Sequence, residues 1–261
     1  DGRAPWPGRS YGALARTGFM RNPVVHRAVR MVAEAAASVP FLAYDGETEL
    51  SDHPALALLA QPNGRQAGPD FFEALYGHLA LSGNAYVEPL AIGCMVRELH
   101  LLRPDRVSVV EGRDGWIAAY DYRAGNVTRR LPAEAGEGRP ALLHLKLFHP
   151  LDDHAGFSPL GAAGAALDLH NAAGEWNKAL LDNSARPSGA LVYQPKDGGN
   201  LSACQYERVK GGLGAGYSGA VNAGRPLLLE RGLDWKSMGF SPKDMDFIAA
   251  KNAAARDIAL A

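Results

Sequence analysis

The first quarter of the chain carries apolar residues at the spacing of amphipathic helices. Asn22-Pro23 is a helix start signal and Pro40 is a stop signal, so we expect one helix between them. The apolar face of this helix comprises Val25, Ala28, Val29, Val32, Ala36 and Val39. Four further segments are predicted: an extended arm over residues 1–21, a short strand at 41–44, and helices at 53–59 and at about 69–81.

The middle of the chain changes to an alternation of apolar and polar positions, which favours strands. Turn residues such as Gly93 and Gly125 separate these segments at short intervals. The pattern predicts an antiparallel meander with short connections. Its strands are predicted at residues 85–91, 95–101, 107–110, 117–122, 127–131 and 142–145.

A long helix is predicted after the strands. Ser158 occupies its cap position and Pro159 its first turn, and the pattern continues to about Asn183, before Arg186-Pro187 ends it. At a rise of ~1.5 Å per residue, this helix would be about 39 Å long. A small α/β module follows, with strands predicted at 189–193, 226–230 and 233–238, a helix at about 202–210 and a glycine-rich loop at 211–219.

A second helix begins after this module. Ser241, Pro242 and Asp244 form a capping pattern, and the helix predicted over residues 241–261 contains no stop signal. We therefore expect the natural chain to continue. The order of elements predicts an α+β protein with an α/β body, a helical stalk and a small α/β tip.

The composition is that of a folded, water-soluble protein. The 261 residues are 47% hydrophobic and 21% charged, with a formal net charge of -1. A protein that grips nucleic acid tightly is usually basic, so any contact with DNA should be loose or local. Cys94 and Cys204 are far apart and fit a reducing compartment. We expect no membrane segment, because the apolar stretches are too short to span a bilayer.

Five residues of metal-binding type cluster within eleven positions, but without the spacing of a known metal site. They are His144, His149, Asp152, Asp153 and His154. We predict that this segment is a polar surface loop without a metal. A metal-dependent hydrolase that uses the His144–His154 cluster is the alternative.

No catalytic motif occurs in the chain. Gly214, Gly216 and Gly219 match the G-x-G-x-x-G pattern, but they follow a predicted helix and not a strand. The P-loop pattern and the G-x-S-x-G pattern are both absent from the sequence. We therefore predict no catalytic residues, no cofactor and no enzymatic activity.

Six sequence runs occur in an order and at spacings that resemble a known family. They are the helix of 22–40 ending in ASVP, HPALALLAQPN (53–63), LSGNAYVE (81–88), GFSPLGAA (156–163), DNSARPSG (182–189), and NAGRPLLLERGLDW (222–235) followed by SPKD (241–244). The chain is similar to the portal (head–tail connector) proteins of siphophage-type tailed phages and gene transfer particles. It departs from them at Ser184, where the family usually has glycine, and the family's tunnel loop and crown lie beyond residue 261.

The resemblance implies a portal-type fold. Residues 1–155 would form the wing, residues 156–184 the first stem helix, residues 185–240 the clip, and residues 241–261 the start of the second stem helix. Family portals form rings, usually of twelve subunits.

The resemblance also implies a function. The ring would be a channel at a unique capsid vertex, through which double-stranded DNA enters during packaging and leaves during ejection. Its partners would be the terminase large subunit, a head–tail adaptor and the major capsid protein, in a particle assembled in the bacterial cytoplasm. The packaging motor must be a partner, because this chain has no P-loop. Another ring-forming head–tail adaptor is the alternative.

Charged residues of the two stem helices are the candidates for the channel wall. Asp168, Glu175 and Asp182 are seven residues apart and share one stripe of the first helix, where they could repel DNA phosphates. The alternative is a solvated helix face. Lys243, Lys251 and Arg256 could face DNA, a neighbouring acidic stripe or solvent.

Small residues from Gly161 to Ala166 permit close approach of another helix, so Gly161 and Gly164 are candidates for subunit packing. Trp176 could anchor the same contact or could lie in an ordinary core. Gly212, Gly214 and Gly216 are predicted to form a flexible clip loop.

Overall fold

A computed structural model of the chain describes residues 10–93, 95–134, 139–182, 189–193, 202–205, 207–208, 233–237 and 247–261. The chain divides into two compact units. The first comprises Asp1–Leu167 and Arg256–Ala261, and the second comprises Asp168–Ala255. None of the described helices is long and apolar enough to cross a membrane.

The described helices have the following bounds: α1 Tyr11–Ala13, which continues as a π-helix over Leu14–Phe19; α2 Pro23–Ala37; α3 Pro54–Ala60; α4 Gly68–Ser82; α5 Pro159–Ala162; α6 Gly164–Asp182; and α7 Phe247–Leu260. The predicted helices at 53–59 and 69–81 are confirmed within one residue. Gly83 ends α4 in the left-handed conformation, with φ of 74°.

The predicted extended arm is wrong for residues 11–19, which are helical. Ser10 caps this segment by accepting a hydrogen bond from Ala13 N. The segment is held by tertiary packing, because Leu14 is only 2% exposed and lies in a core with Val25. Tyr11 and Phe19 pack against the same core, but the segment is short and contains two glycines, Gly12 and Gly18, which weaken a helical signal in the sequence.

Asn22 caps α2 as expected, accepting hydrogen bonds from the backbone N–H groups of Val24 and Val25 at 3.0 and 3.2 Å. The predicted apolar face is only partly buried. Val25 and Val29 are buried, whereas Val32 and Val39 are 59% and 63% exposed. The core therefore contacts a narrower stripe of α2 than the apolar pattern predicted.

The described strands have the following bounds: β1 Tyr44–Asp45, β2 Thr48–Glu49, β3 Asn84–Ile92, β4 Met95–Leu102, β5 Val107–Glu111, β6 Ile117–Ala124, β7 Val127–Pro132, β8 Leu143–Lys146, β9 Gly189–Tyr193 and β10 Leu233–Ser237. The six strands predicted in the middle of the chain are confirmed within two residues at each end. The strand predicted at 41–44 is instead a hairpin of β1 and β2.

The sequence pattern predicted that the strands of the body form one meander, and this prediction is wrong. They form two antiparallel three-stranded sheets with the orders β4-β3-β8 and β5-β6-β7. β8 returns to pair with β3, so that Asn84 lies opposite Lys146 and Val87 opposite Leu143. β3 is therefore a central strand, which explains why its residues 84–88 are all buried. Alternation identifies a strand but not its partner.

Three clusters of buried side chains hold the first unit together. The helical cluster joins Leu14, Val25, Val29, Leu81, Leu160, Ala163, Leu167 and Ile258. The sheet clusters comprise Tyr86, Leu102, Tyr120, Leu131 and Leu142, and separately Phe71, Leu75, Ala85 and Val87. Each fully buried large side chain contributes roughly 1.5–3 kcal/mol.

The long helix predicted from residue 158 is interrupted. α5 ends at Ala162, and Ala163 has a φ of -80° and a ψ of 6°, outside the helical range, before α6 begins. Glycines at 161 and 164 weaken the helix at this point. The 19 residues of α6 span about 28 Å at ~1.5 Å per residue.

In the second unit, β9 and β10 pair antiparallel with Gly189 opposite Ser237. This confirms the strand predicted at 189–193 and most of the one predicted at 233–238. Residues 203–205 and 207–208 are helical, within the helix predicted at 202–210. The strand predicted at 226–230, the glycine-rich loop and the predicted start of the last helix lie outside the described residues.

Candidate functional site

Two of the runs that carry the family resemblance meet in the structure. The LSGN segment after α4 lies against the GFSP segment before α5, and Asn84 joins them. Asn84 Oδ1 accepts a hydrogen bond from Gly156 N at 2.7 Å, and Asn84 Nδ2 donates to Gly156 O at 3.3 Å and to Ser82 O at 2.9 Å. The start of β3 therefore fixes the chain that enters α5.

The backbones at this junction touch closely. A Cβ added to Gly156 would overlap the carbonyl group of Gly83, and one added to Gly83 would lie 2.5 Å from the Phe157 carbonyl carbon. Leu147 N also donates to Gly83 O at 2.8 Å. Only glycine fits at either position, which explains why both runs contain one.

Two serines complete the junction. Ser158 holds the predicted cap position of α5, but its side chain forms no cap hydrogen bond. Its Oγ donates instead to Ala80 O at 3.0 Å, which ties α5 to the end of α4. Ser82 Oγ lies 2.8 Å from His78 O and 2.7 Å from Asn84 O. The family resemblance drew attention to both runs. No local sequence pattern predicted that Asn84 and Ser158 would join them.

The candidate metal cluster is dispersed in the structure. His144 points into the sheet, where its Nε2 lies 2.9 Å from Asn84 Oδ1 and its ring stacks on Tyr86 with centroids 4.3 Å apart. Burial, and then the charge of Lys146, lower the pKa of His144 to about 4. The ring is therefore neutral at pH 7 and acts as a packed hydrogen-bonding group.

The other members of this cluster order their own loop. Asp152 Oδ1 accepts from the backbone N–H groups of His154 and Ala155 at 2.7 and 2.9 Å. These two hydrogen bonds lower the pKa of Asp152. His149 Nδ1 accepts from Leu151 N at 3.1 Å. Within the described parts of the chain, no three His, Cys, Asp or Glu side chains are placed to hold a metal ion.

Two members of the predicted acidic stripe lie on the exposed face of α6. Asp168 and Glu175 are exposed, while His170 and Ala173 face inward. Asp182 is the last residue of the helix. A ring of such helices could present these carboxylates to its bore. The same positions are also compatible with a helix face that contacts only solvent.

The cationic candidates have different environments. Lys251 is half-buried, with its Nζ 3.8 Å from the position of a Cβ on Gly174, so it lies against α6 of its own chain. Burial, and then the charge of Lys251, lower the pKa of His170. Arg256 is exposed on α7. Lys243 and the loop glycines Gly212, Gly214 and Gly216 lie outside the described residues.

The small-residue candidates lie at the join of α5 and α6. Gly161 faces the ring of Phe157, which would be 3.3 Å from a Cβ at this position, so part of its space is filled by its own chain. Gly164 is buried and Trp176 is half-buried. Subunit packing by these three residues stays a prediction.

Comparisons with known proteins cover nearly the whole chain. The family described as "Phage portal protein" matches residues 23–261. Uncharacterized proteins of Rickettsia felis and Rickettsia bellii are 40% and 38% identical to 97% and 93% of the chain. The chain spans 66% and 63% of the lengths of these two relatives.

Solved structures give the same picture. A chain in the neck of an empty gene transfer agent particle, computed with C6 symmetry, is 51% identical, with a TM-score of 0.74 over all of this chain and 70% of that one. A chain in the native neck, computed with C12 symmetry, is 49% identical, with a TM-score of 0.69 over 99% and 69% of the two chains. An HK97-family phage portal protein from Corynebacterium diphtheriae shares the fold at 17% identity, with a TM-score of 0.66 over 97% and 77%.

Proposed function

Because the chain belongs to the phage portal protein family, we propose that it is the subunit of a ring-shaped DNA channel at one vertex of a phage-like particle. Family membership confirms the resemblance read from the six sequence runs, and the α+β portal-type fold is confirmed with it. The observation that carries the proposal is the 51% identity over the whole chain to a protein of a gene transfer agent neck.

The proposed mechanism is geometric and not catalytic. The ring passes double-stranded DNA inward during packaging and outward during ejection, and its wall must bind DNA weakly. A net charge of -1 and the exposed carboxylates of Asp168 and Glu175 support a wall that repels phosphate. The inward orientation of His144 and the local hydrogen bonds of Asp152 weigh against a metal-dependent hydrolase at the same loop.

We assign the parts of the chain as the sequence suggested. Residues 1–155 are the wing, 156–184 the first stem helix, 185–240 the clip and 241–261 the start of the second stem helix. The Asn84–Gly156 junction then lies where the wing passes into the stem. The break at Ala163 separates α5 from α6.

The partners follow from this role. The ring is a homo-oligomer of about twelve subunits, by analogy with the neck computed with C12 symmetry. It binds the terminase large subunit during packaging, a head–tail adaptor afterwards and the major capsid protein throughout. It is assembled in the bacterial cytoplasm and remains in the particle.

The first experiment is to measure the assembly of the purified full-length protein by native mass spectrometry and negative-stain electron microscopy. We expect rings of about a dozen subunits, with a bore that admits duplex DNA, on the order of 20 Å across given its groove dimensions. Deletion of the gene should leave particles without packaged DNA. Full-sized, DNA-filled particles from the deletion strain would contradict the proposal.

A further inference from the structure

Two large apolar side chains project into solvent from the loop that joins β8 to α5. Phe148 is 85% exposed and Leu151 is 92% exposed. Single exposed apolar residues are ordinary on a protein surface, but two within four positions of one loop form a compact apolar projection. We call residues 147–155 the projecting loop.

The projecting loop is ordered from its base. Its backbone and side chains form four sets of hydrogen bonds: Leu147 N to Gly83 O, Leu151 N to His149 Nδ1, His154 N and Ala155 N to Asp152 Oδ1, and Lys146 Nζ to Asp153 O. The ring of His149 also contacts the ring of Phe157, with centroids 5.5 Å apart. A loop that is already ordered loses little conformational entropy when it binds, which favours a role in association.

An open apolar groove lies elsewhere in the same unit, between α3 and β4. Its volume is about 600 Å³, which is enough for two large side chains. The apolar part of its lining comprises Pro54, Ala55, Ala57, Leu58, Met95 and Val96. Met95 is 57% exposed, so the groove floor is accessible. We call this the α3–β4 groove.

The loop and the groove lie at opposite corners of one sheet. The strand order β4-β3-β8 places β8, which leads into the loop, at one edge and β4, which lines the groove, at the other. Lys146 pairs with Asn84 at the start of β3, whereas Met95 pairs with Ile92 at its end. A head-to-tail contact in a ring requires two different patches on separate sides of a subunit, as here.

The charges beside the two patches are complementary. Asp152 and Asp153 are exposed in the projecting loop, and Arg97 is exposed and lines the groove. The acidic residue that lines the groove, Glu98, is engaged by His100 of its own chain at 2.8 Å. Opposite charges around an apolar contact favour association in one orientation and disfavour a contact of like patches.

We propose that Phe148 and Leu151 of one subunit occupy the α3–β4 groove of the next subunit, with Asp153 beside Arg97. This contact rests on the proposed ring and adds to it the surfaces by which neighbouring wings join. It repeats at every subunit boundary, so the loop of each copy fills the groove of one neighbour.

Disulfide trapping in the full-length protein tests the contact directly. In a Cys94→Ser, Cys204→Ser background, Leu151→Cys combined with Ala57→Cys should give, on oxidation, a ladder of covalent multimers up to the whole ring. The matched control combines Leu151→Cys with Val127→Cys, whose position is 68% exposed at the other sheet and should give no ladder. Assembled rings that give no ladder with the groove pair would overturn the contact and leave the proposed function intact.

Charge exchange gives a second, independent readout. Asp153→Arg and Arg97→Asp should each reduce the fraction of protein in rings by about tenfold or more, and the double variant should restore it. All of these positions are exposed, so circular dichroism should be unchanged. A double variant no better than the single ones overturns the contact. Rings that assemble normally with Leu151→Glu but fail to join capsid or tail would show that the loop meets another partner. A wild-type protein that never forms rings overturns both proposals.

Discussion

Asn84 and Gly156 are joined by two hydrogen bonds that run in opposite directions, from Gly156 N to Asn84 Oδ1 and from Asn84 Nδ2 to Gly156 O. A side-chain amide is the smallest group that can satisfy both backbone atoms of one residue at once. The two positions are 72 residues apart in sequence, and the chain between them forms both three-stranded sheets, so this pair closes the sheet region of the unit. It also fixes the entry into α5 relative to β3.

Replacement of Asn84 should therefore be costly. In Asn84→Ala, the buried N–H and C=O of Gly156 and the ring of His144 lose their partner, and each unsatisfied group costs about 1–3 kcal/mol. We expect the free energy of unfolding to fall by roughly 2–4 kcal/mol, measured by urea denaturation. Gln61→Ala removes an exposed amide and should change it by less than about 0.5 kcal/mol. Equal effects of the two variants would contradict this role for Asn84.

Gly156 and Gly93 should differ sharply in their tolerance of alanine, because close packing constrains the first and a positive φ the second. Gly156→Ala would drive a methyl group into the Gly83 carbonyl, so the backbones must separate and stability should fall by about 3 kcal/mol or more. Gly93, by contrast, has a positive φ, of 61°, and open space around it. Gly93→Ala should cost only the left-handed conformation, about 1–2 kcal/mol. Thermal melting of the two variants side by side gives the comparison.

Stability should decrease on acidification through the histidine range. Burial lowers the pKa values of both His78 and His144 to about 4, against about 6.5 in the unfolded chain. Between pH 6.5 and 4 the unfolded state therefore binds more protons than the folded state. The contribution of these two histidines to the free energy of unfolding is fully present above pH 6.5 and is lost as the pH falls. For His78 the loss is on the order of 2 kcal/mol after allowance for partial exposure.

The matching measurement is the urea midpoint from pH 8 to pH 4.5. His78→Gln and His144→Gln should each flatten the profile, because glutamine does not titrate. An unchanged slope in the double variant would assign the pH dependence to other groups.

Charge reversal of the acidic stripe should increase the affinity of the ring for DNA. Asp168→Lys with Glu175→Lys turns a repelling surface into one that binds phosphate, and each new phosphate contact steepens the salt dependence of binding. The control, Asp45→Lys with Glu47→Lys, changes the net charge equally on an exposed hairpin of the wing. Duplex DNA binding to assembled rings, measured over a salt series, should rise for the stem variant only. The same rise in both variants would favour a plain solvated helix face.

The sequence predicts most elements of the fold because their signals are local. Asn22-Pro23 marks the start of α2, Gly83 marks the end of α4, and alternation locates β3 to β8 within two residues. The family could be identified for a related reason, since the LSGN and GFSP runs are constrained by close backbone contact. The two runs can be recognised in the sequence, although the contact between them cannot.

The sequence-based predictions are wrong where contacts between residues far apart in the chain determine the local structure. The segment 11–19 is short and contains two glycines, yet the core around Val25 and Leu167 holds it in a helix through Leu14. β8 has the alternating pattern that any strand of a meander would have. It nevertheless pairs with β3, some sixty residues earlier in the chain, and the hydrogen bond from Leu147 N to Gly83 O extends this pairing. Phe148 and Leu151 show no pattern at all, since their exposure is a property of the loop geometry.

The return of β8 to β3 has a consequence for the order of events on the ribosome. β3 emerges with β4 while its other partner is still unsynthesised, and Val87 precedes Leu143 by roughly 56 residues, which takes about 3–11 s at 5–20 residues per second. For that interval one side of an apolar strand has unpaired N–H and C=O groups, a template for pairing with other nascent chains. Polysomes that make many copies near one another should therefore be the place where misassembly begins, and slowing synthesis between residues 92 and 143 should increase it.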